Sequence, residues 1–354
     1  MQMTRRTFLG ECAALALTGR ASAKGPRSSV AVRDELNRQI SEGLIAGGVC
    51  GLVGGPLYVA GERTRHPVST PMADNCIFDL ASAAKPFTAS LCARLVADGR
   101  LDPDAPFTQY LPEHILAKEN CAITVRDLAT HTGGFDNAKP YILPDPEDFD
   151  RVLFAKRPVR PRGAAYDYAC SNFIYLGKIV ERVTGMDLET AARKLLWGPL
   201  GMRDTCWHEV VGSPRAVETF TNGRLPPGTH GDESARAYPR PMGNGSAFST
   251  AGDMLQFVGD LLARRAFPKA YYDLLLTPSW EKGDVRRSFG WDMSVAERPA
   301  GWSAATVSHG GYTGNTIAVD PEKGFAGVVL TNRTGDRLKG YAGHRRLLAL
   351  MSNA

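Results

Sequence analysis

Strand-like segments lie near both ends of this 354-residue chain, and the middle of the chain is mainly helical. Two short apolar runs, residues 48–53 and 57–60, are separated by Gly-Gly-Pro at 54–56, a pattern typical of a β-hairpin. Further strand-like runs occur at residues 289–293, 306–308, 315–319 and 325–330. Since elements that share a core pack in layers, this distribution predicts one sheet assembled from both ends of the chain.

Helical periodicity is clearest after residue 82. Phe87, Leu91 and Leu95 recur every four positions, which predicts a helix that starts near Ser82 and ends at Asp98-Gly99. Other helices are predicted at residues 30–44, 173–183 and 253–263.

The middle of the chain is rich in proline, and its helical segments alternate with long loops. We therefore expect a mainly helical subdomain over residues 100–230. The sheet subdomain would consist of residues 24–99 together with 231–354, so that the two subdomains form one catalytic domain of mixed α/β (α+β) class.

The N-terminus has the pattern of a secretion signal. Thr4-Arg5-Arg6-Thr7-Phe8-Leu9 resembles a twin-arginine export signal, and Ala21-Ser22-Ala23 suits a signal peptidase. We expect residues 1–23 to direct export, to the periplasm, with an amphipathic or disordered tail as the alternative. The apolar stretch at 13–17 is far shorter than the roughly 20 residues of a membrane span, so no span is expected.

Composition excludes several classes of function. The net charge is +5, and no run of Lys and Arg contains interleaved aromatics, so no nucleic-acid partner is expected. The seven histidines and seven cysteines lack the spacing of metal ligands, which argues against a metal site. Gly243-Asn244-Gly245 lacks the third glycine of a dinucleotide loop, so no cofactor is expected. Several cysteines lie in apolar runs, which favours free thiols. No pattern indicates an oligomeric state.

Ser82 and Lys85 form a candidate nucleophile pair. Residues three apart on a helix share a face, so the Lys85 amine can activate the Ser82 hydroxyl, which is a poor nucleophile alone. The positive end of the helix dipole would favour negative charge on Ser82. The spacing alone is weak evidence, since Ser279 and Lys282 repeat it in a loop-like region. The alternative is an N-cap serine followed by a solvated lysine.

The sequence around this pair resembles the serine β-lactamase and penicillin-binding superfamily. Within it, the class C β-lactamase-like group, with its family VIII esterases and D-aminopeptidases, is the most similar. The segment Phe78 to Pro86 is similar to the nucleophile segment of that group. Additional landmarks in the same order are residues 101–106, 110–112, 123–128, 130–135, 247–254 and 320–322. The resemblance implies an antiparallel sheet flanked by helices, with a helical subdomain beside it.

The resemblance also implies a tyrosine from the helical subdomain. Tyr168 occupies the tyrosine position of a Tyr-x-Asn motif, and Tyr166 is a nearby competitor. A phenol beside a lysine ammonium is expected to have a lowered pKa and to exchange the serine proton. Cys170 replaces the usual amide of the motif, which weakens the polar contact expected there.

A third motif resembles the His-x-Gly form found in the esterase-like branches. His309, Gly310 and Gly311 would line the cleft, and the glycines leave the strand edge open to substrate. By resemblance, the backbone N–H groups of Tyr312 and Ser82 would form the oxyanion hole. The alternative for His309 is a turn histidine. His131-Thr132-Gly133 has the same spacing but resembles a structural segment.

These motifs predict an exported serine hydrolase that acts through an acyl-serine intermediate. Because histidine is largely neutral at pH 7, His309 favours esters or uncharged amides over penicillins or D-Ala-D-Ala peptides. The substrate would be a small-molecule or peptide-like ester or amide. The alternative is a catalytically silent penicillin-binding-like protein that binds or senses cell-wall fragments.

Overall fold

The computed structural model describes residues 26–353, except 143, 144, 146, 221–224 and 239. The predicted export signal, residues 1–23, lies outside the described residues. No helix of the described part is long and apolar enough to cross a membrane.

The strands of the described residues are β1 (Ile45–Leu52), β2 (Leu57–Thr64), β3 (Thr70–Pro71), β4 (Phe78–Asp79), β5 (Phe248–Ser249), β6 (Trp280–Lys282), β7 (Val285–Ser288), β8 (Trp291–Asp292), β9 (Val307–Gly311), β10 (Asn315–Asp320) and β11 (Phe325–Arg333). Nine of these strands form one antiparallel sheet in the order β3-β2-β1-β11-β10-β9-β8-β7-β6, and β4 pairs with β5 in a separate ribbon. In the middle of the sheet β1 pairs antiparallel with β11, with Val49 opposite Leu330. The prediction of one sheet built from both ends is confirmed.

The helices are α1 (Pro26–Ser41), α2 (Lys85–Ala97), α3 (Val125–Thr130), α4 (Asp148–Phe154), α5 (Cys170–Thr184), α6 (Leu188–Ala192), α7 (Glu233–Ala237), α8 (Ala251–Ala263), α9 (Lys269–Leu276) and α10 (Arg337–Ser352). Short 3₁₀ turns occur at Ala81–Ala84, Phe107–Gln109, Ile115–Glu119 and Val295–Glu297, and a π-helical turn at Arg193–Trp197.

Helices cover both faces of the sheet because its central strands alternate between two cores. On β11, Val328 and Leu330 join the large cluster that includes Phe257 of α8. Val329, between them, joins the cluster formed with α1 and α10 on the other face. All eight residues of β1 are buried. This two-sided burial produces the near-continuous apolar runs from which the strands were predicted.

Two sequence predictions near the edge of the sheet were wrong. Phe289 and Gly290 form a turn rather than a strand, and Gly290 has φ +88°, so the predicted run 289–293 contains only the short β8. Residues 280–282, predicted as loop-like, form β6. The strand β7 before the turn was missed, because Arg286 and Arg287 interrupt its apolar pattern.

The six cysteines among the described residues are free. Helices α3 to α6 occupy the stretch between the strands of the two chain ends. The subdomain boundaries at residues 100 and 230 stay a prediction.

Candidate active site

Ser82 lies in a 3₁₀ turn that connects β4 to α2. The preceding residue, Ala81, has φ +44°, a left-handed conformation that a non-glycine residue adopts only when its surroundings fix it. The buried carboxylate of Asp79 does this, since Oδ1 accepts a hydrogen bond from the Ala81 N–H at 2.9 Å and Oδ2 accepts one from Gly231 N–H at 2.6 Å. The turn therefore presents Ser82 in a fixed position at the start of α2.

Lys85 is fully buried beside Ser82. Its Nζ atom donates to Ser82 Oγ at 3.0 Å and to the backbone carbonyl of Asn244, and Cys170 Sγ is 3.9 Å away. The ring of Tyr168 lies 4.9 Å from the same atom. These contacts hold the amine between the Ser82 hydroxyl, the Asn244 carbonyl and the face of the Tyr168 ring.

Tyr168 contacts the other side of the serine hydroxyl. Its Oη atom donates to Ser82 Oγ at 2.7 Å, and its ring lies against the buried His131 at a centroid distance of 4.6 Å. Burial raises the pKa of Tyr168 well above its ordinary value, and the neighbouring Cys170 adds to the effect. The expected lowering of this pKa was wrong, because desolvation outweighs the hydrogen bond with Ser82, which lowers the pKa. In the resting site Tyr168 is a neutral phenol.

Tyr166, the other candidate for the motif tyrosine, contacts Arg287 and His131. The guanidinium of Arg287 lies 4.8 Å from its ring centroid, and His131 meets the ring edge-on. The side chain of Asn172 contacts His131 Nδ1 at 3.1 Å rather than Lys85. Of the two tyrosines, Tyr168 is the one that contacts Ser82.

Cys170 begins α5 and holds its position through its backbone. The Cys170 N–H donates to Asn137 Oδ1 at 2.9 Å, while the thiol faces Lys85. Asn137 and Asn244 were missed as site residues. Asn244 acts through its backbone carbonyl, which leaves no side-chain signal, and Asn137 lies in a loop that had no readable pattern.

His309 lies on β9, which passes directly along the nucleophile turn. A Cβ atom at Gly311 would lie 2.2 Å from the Leu80 carbonyl oxygen, so only glycine allows this close approach. Burial lowers the pKa of His309 to about 3, with further lowering by the charges of Lys85 and Arg287. His309 is therefore neutral at pH 7. Tyr312, next along the chain, is 40% exposed.

The predicted site residues converge on one cavity of about 720 Å³. Ser82, Tyr168, Cys170, His309 and Tyr312 line it, Lys85 is buried behind Ser82, and Gly311 lies against the nucleophile turn. In the second Ser-x-x-Lys run, by contrast, Lys282 Nζ donates to the Ala164 carbonyl. Within the described residues, no group of His, Cys, Asp and Glu side chains could hold a metal ion.

A serine hydroxyl between a lysine amine and a tyrosine phenol, beside a large antiparallel sheet covered by helices, is the arrangement of a serine hydrolase. The chain belongs to the beta-lactamase family, whose model matches residues 44–351.

Relatives and solved structures agree with this family. Esterase EstB of Burkholderia gladioli is 29% identical over 320 residues, which cover 76% of this chain and 81% of the esterase. A beta-lactamase of Escherichia coli K12 is 25% identical, over 79% of this chain and 81% of that protein. The structure of a class C beta lactamase superposes with a TM-score of 0.76 at 19% identity, covering 91% of this chain and 98% of that one. The structure of EstCE1, a hydrolase with promiscuous acyltransferase activity, superposes with a TM-score of 0.75 at 21% identity. It covers 92% of this chain and 98% of EstCE1.

Proposed function

We propose that this protein is an exported serine hydrolase that cleaves esters, and uncharged amides more slowly, through an acyl-serine intermediate. The observation that carries the proposal is the double contact of Ser82 Oγ, with Lys85 Nζ at 3.0 Å and Tyr168 Oη at 2.7 Å. Both groups lie within the distance that direct proton transfer requires.

In the acylation step, Ser82 Oγ attacks the acyl carbon while its proton passes to the Lys85–Tyr168 pair, in which the Lys85 amine is neutral and accepts it. Because burial raises the pKa of Tyr168, the phenolate form of Tyr168 does not act as the base on its own. We assign the base to the coupled pair, which loses and gains protons as a unit. The backbone N–H groups of Ser82 and Tyr312 would stabilise the oxyanion.

The leaving group then takes a proton from Tyr168, which faces the cavity next to Ser82. A water molecule activated by the same pair attacks the acyl carbon and releases the acid from Ser82. The single lysine–tyrosine pair thus serves as base and acid in both halves of the reaction.

The preference for esters rests on two groups. His309 is neutral and offers no charge to a substrate carboxylate. Cys170 supplies a thiol where a substrate amide would need a strong hydrogen-bonding partner. Because an ester has no N–H group that needs a hydrogen-bond acceptor, it loses less binding free energy in this site than an amide does. The relative named an esterase supports the same substrate class.

Covalent labelling tests the nucleophile. We expect a fluorophosphonate probe to label the intact protein, and Ser82→Ala to abolish both labelling and hydrolysis of 4-nitrophenyl butyrate. Ser279→Ala is the matched control and should retain both. Failure of this probe and of a fluorescent penicillin to label the wild type would favour the silent binder of cell-wall fragments.

The substrate class is tested by comparing the ester with nitrocefin and a D-Ala-D-Ala peptide. A higher kcat/KM on nitrocefin or on the peptide than on the ester would contradict the proposal.

Export is tested separately. We propose that residues 1–23 direct transport across the membrane, supported by the Arg5-Arg6 pair and the Ala-Ser-Ala run at 21–23. A reporter fused to these residues should reach the periplasm, and replacing both arginines by lysine should retain it in the cytoplasm. A reporter that stays in the cytoplasm with the native residues would overturn the proposal.

A further inference from the structure

His131 lies against the tyrosine of the site, although the sequence assigned its motif no part in the chemistry. It follows α3 as the C-terminal cap residue of that helix and is fully buried. Its backbone has φ +59°, in the left-handed region. A non-glycine residue keeps this conformation where its surroundings fix it, which occurs often at functional sites. The contacts of His131 show what this position serves.

Two hydrogen bonds to His131 flank Tyr168 in the chain. The His131 carbonyl oxygen accepts the N–H of Asp167 at 2.9 Å, and Nδ1 accepts the N–H of Ala169 at 3.2 Å. The residues before and after Tyr168 are therefore both tied to one residue of another segment. This restricts the backbone rotations that would move the phenol away from Ser82.

The imidazole ring of His131 also packs against the two aromatic rings that face Lys85. Its centroid lies 4.6 Å from that of Tyr168 and 5.1 Å from that of Phe173. Lys85 Nζ lies 4.9 Å and 5.7 Å from the same two centroids. His131 thus restrains Tyr168 through the backbone on both sides and through the ring.

These contacts also set the tautomer of His131. A backbone N–H can only donate, so Nδ1 accepts and the ring proton lies on Nε2. Burial lowers the pKa of His131 well below its ordinary value, so the ring is neutral at pH 7. Nε2 is buried and has no hydrogen-bond partner among the described residues. A phenylalanine would avoid this unpaired donor, so the acceptor Nδ1 is the property that histidine supplies.

We propose that His131 is a positioning residue that fixes Tyr168 for proton transfer to the leaving group. This inference rests on the proposed hydrolysis at Ser82, in which Tyr168 Oη contacts Ser82 Oγ at 2.7 Å. His131 does not line the catalytic cavity, so its effect passes through Tyr168. A displacement of the phenol by about 1 Å would slow the reaction on the order of 10²-fold.

Two substitutions separate the acceptor from the ring. His131→Phe keeps an aromatic ring against Tyr168 but removes the acceptor of the Ala169 N–H. His131→Asn removes the ring but places Oδ1 as many bonds from the backbone as Nδ1, and asparagine tolerates the left-handed region. His114→Phe is the matched control. Nδ1 of the buried His114 likewise accepts a backbone N–H, that of Leu116 at 3.2 Å, but His114 does not line the cavity.

Two esters of the same acid measure the positioning of Tyr168. 4-Nitrophenolate leaves without a proton, whereas the ethoxide of ethyl butyrate needs one, so the proton donor matters more for ethyl butyrate. We expect His131→Phe to lower kcat/KM for ethyl butyrate at least about tenfold more than for 4-nitrophenyl butyrate. Tyr168→Phe, which lacks the donor, should give the largest change in this ratio. His131→Asn should keep the ratio within about threefold, because it retains the acceptor.

The control variant and thermal unfolding separate positioning from misfolding. His114→Phe should leave the ratio of the two esters unchanged even where it lowers the melting temperature, because a smaller folded fraction reduces both rates alike. An equal loss on both esters in His131→Phe, or no loss on either, would overturn the positioning role. A ratio that changes as much in His131→Asn as in His131→Phe would overturn the assignment to the Nδ1 acceptor.

A spectrum without turnover separates this inference from the hydrolase proposal. In protein labelled with ¹⁵N-histidine, the signals lost in His131→Asn should be those of an Nε2–H tautomer at pH 7. An Nδ1–H tautomer would overturn the inference at any level of activity. If the wild type cleaves neither ester while the Nε2–H tautomer is observed, the hydrolase proposal fails and the hold on the Tyr168 segment stands. If both esters are cleaved and His131→Phe leaves their ratio unchanged, only the positioning role fails.

Discussion

The Sγ atom of Cys170 lies 3.9 Å from the Nζ atom of Lys85, so a thiol faces the lysine of the proposed catalytic pair. A thiol accepts hydrogen bonds weakly, and it therefore orients neither the lysine nor a substrate amide strongly. The site retains the proton-transfer pair while lacking a strong partner for an amide. This combination leads to the first prediction.

Replacing Cys170 by asparagine should raise activity on amides relative to esters. The amide side chain supplies both a donor and an acceptor beside Lys85, which the thiol lacks. We expect the ratio of kcat/KM for nitrocefin to that for 4-nitrophenyl butyrate to rise about tenfold. Cys92→Ser, at a buried thiol that does not line the cavity, is the control for the loss of a cysteine. An unchanged ratio would show that residue 170 does not set the ester preference.

Removing the Tyr168 hydroxyl should reduce kcat far more than it affects folding. Tyr168→Phe keeps the ring against His131 but removes the group that donates to Ser82, so a loss on the order of 10²- to 10⁴-fold is expected. Tyr166→Phe keeps the ring that faces Arg287 and should retain kcat within a few-fold. Steady-state kinetics on 4-nitrophenyl butyrate measures both. If Tyr166→Phe were the more damaging variant, the assignment of the acid–base tyrosine would be wrong.

Two neighbouring glycines of β9 should respond differently to alanine. At Gly311 the new Cβ would lie 2.2 Å from the Leu80 carbonyl oxygen, and the strand would have to move away from the nucleophile turn. Such overpacking costs about 1–3 kcal/mol, and we expect kcat to fall at least tenfold with it. At Gly310 the nearest atom belongs to the Tyr341 ring at 3.1 Å, which can shift, so the effect should be smaller. Thermal unfolding and kcat, measured for both alanine variants, compare the two effects.

Buried histidines should make the protein sensitive to mild acid. The pKa of His114 is lowered to about 4 and those of His309 and His344 to about 3, mainly by burial. The unfolded chain takes up protons on these residues below about pH 6.5, and the folded chain does not until pH 3–4. Folding stability should therefore fall as pH decreases from 6.5 towards 4. Asp79, whose pKa burial raises to about 6, opposes this between pH 6 and 4, and so do Glu181 and Asp253, whose pKa values burial also raises. His131 and His230, whose pKa values burial lowers, act in the same direction as the three histidines above.

Urea unfolding at pH 8, 6.5 and 5 measures this dependence. We expect a constant free energy of unfolding between pH 8 and about 7 and a lower value at pH 5. His344→Gln should flatten the curve, because His344 is held by Thr316 and Thr331 and does not line the catalytic cavity. Equal stability at pH 8 and pH 5 would contradict the prediction.

The sequence predicted the elements whose side chains follow a simple period. The recurrence of Phe87, Leu91 and Leu95 identified α2, although the helix begins at Lys85 and Ser82 lies in the preceding turn. In contrast, α10 was not predicted, because its buried positions include Gly340, Gly343 and His344 as well as leucines. Apolar periodicity in the sequence does not identify a helix whose buried face includes small or polar residues.

The site was predictable where chemistry resides in side chains. Ser82, Lys85 and Tyr168 were identified in order and lie together in the structure. The role of Asp79 and the Asn244 carbonyl could not be predicted, since both depend on contacts between segments more than 150 residues apart. Nor could the raised pKa of Tyr168, because a charge pattern carries no information on desolvation.

The pairing of β1 with β11 has a consequence for synthesis of the protein. As the chain leaves the ribosome, the hairpin of β1 and β2 emerges early, but its partner strand ends only at Arg333. Until β11 has been made, the inner edge of β1 has no sheet partner, although β9, which ends at Gly311, is already present. Chains arrested before β11 therefore lack the centre of the sheet even where they already contain His309. The sheet that holds β9 against the nucleophile turn is completed only with β11, so hydrolytic activity should require the chain up to Arg333.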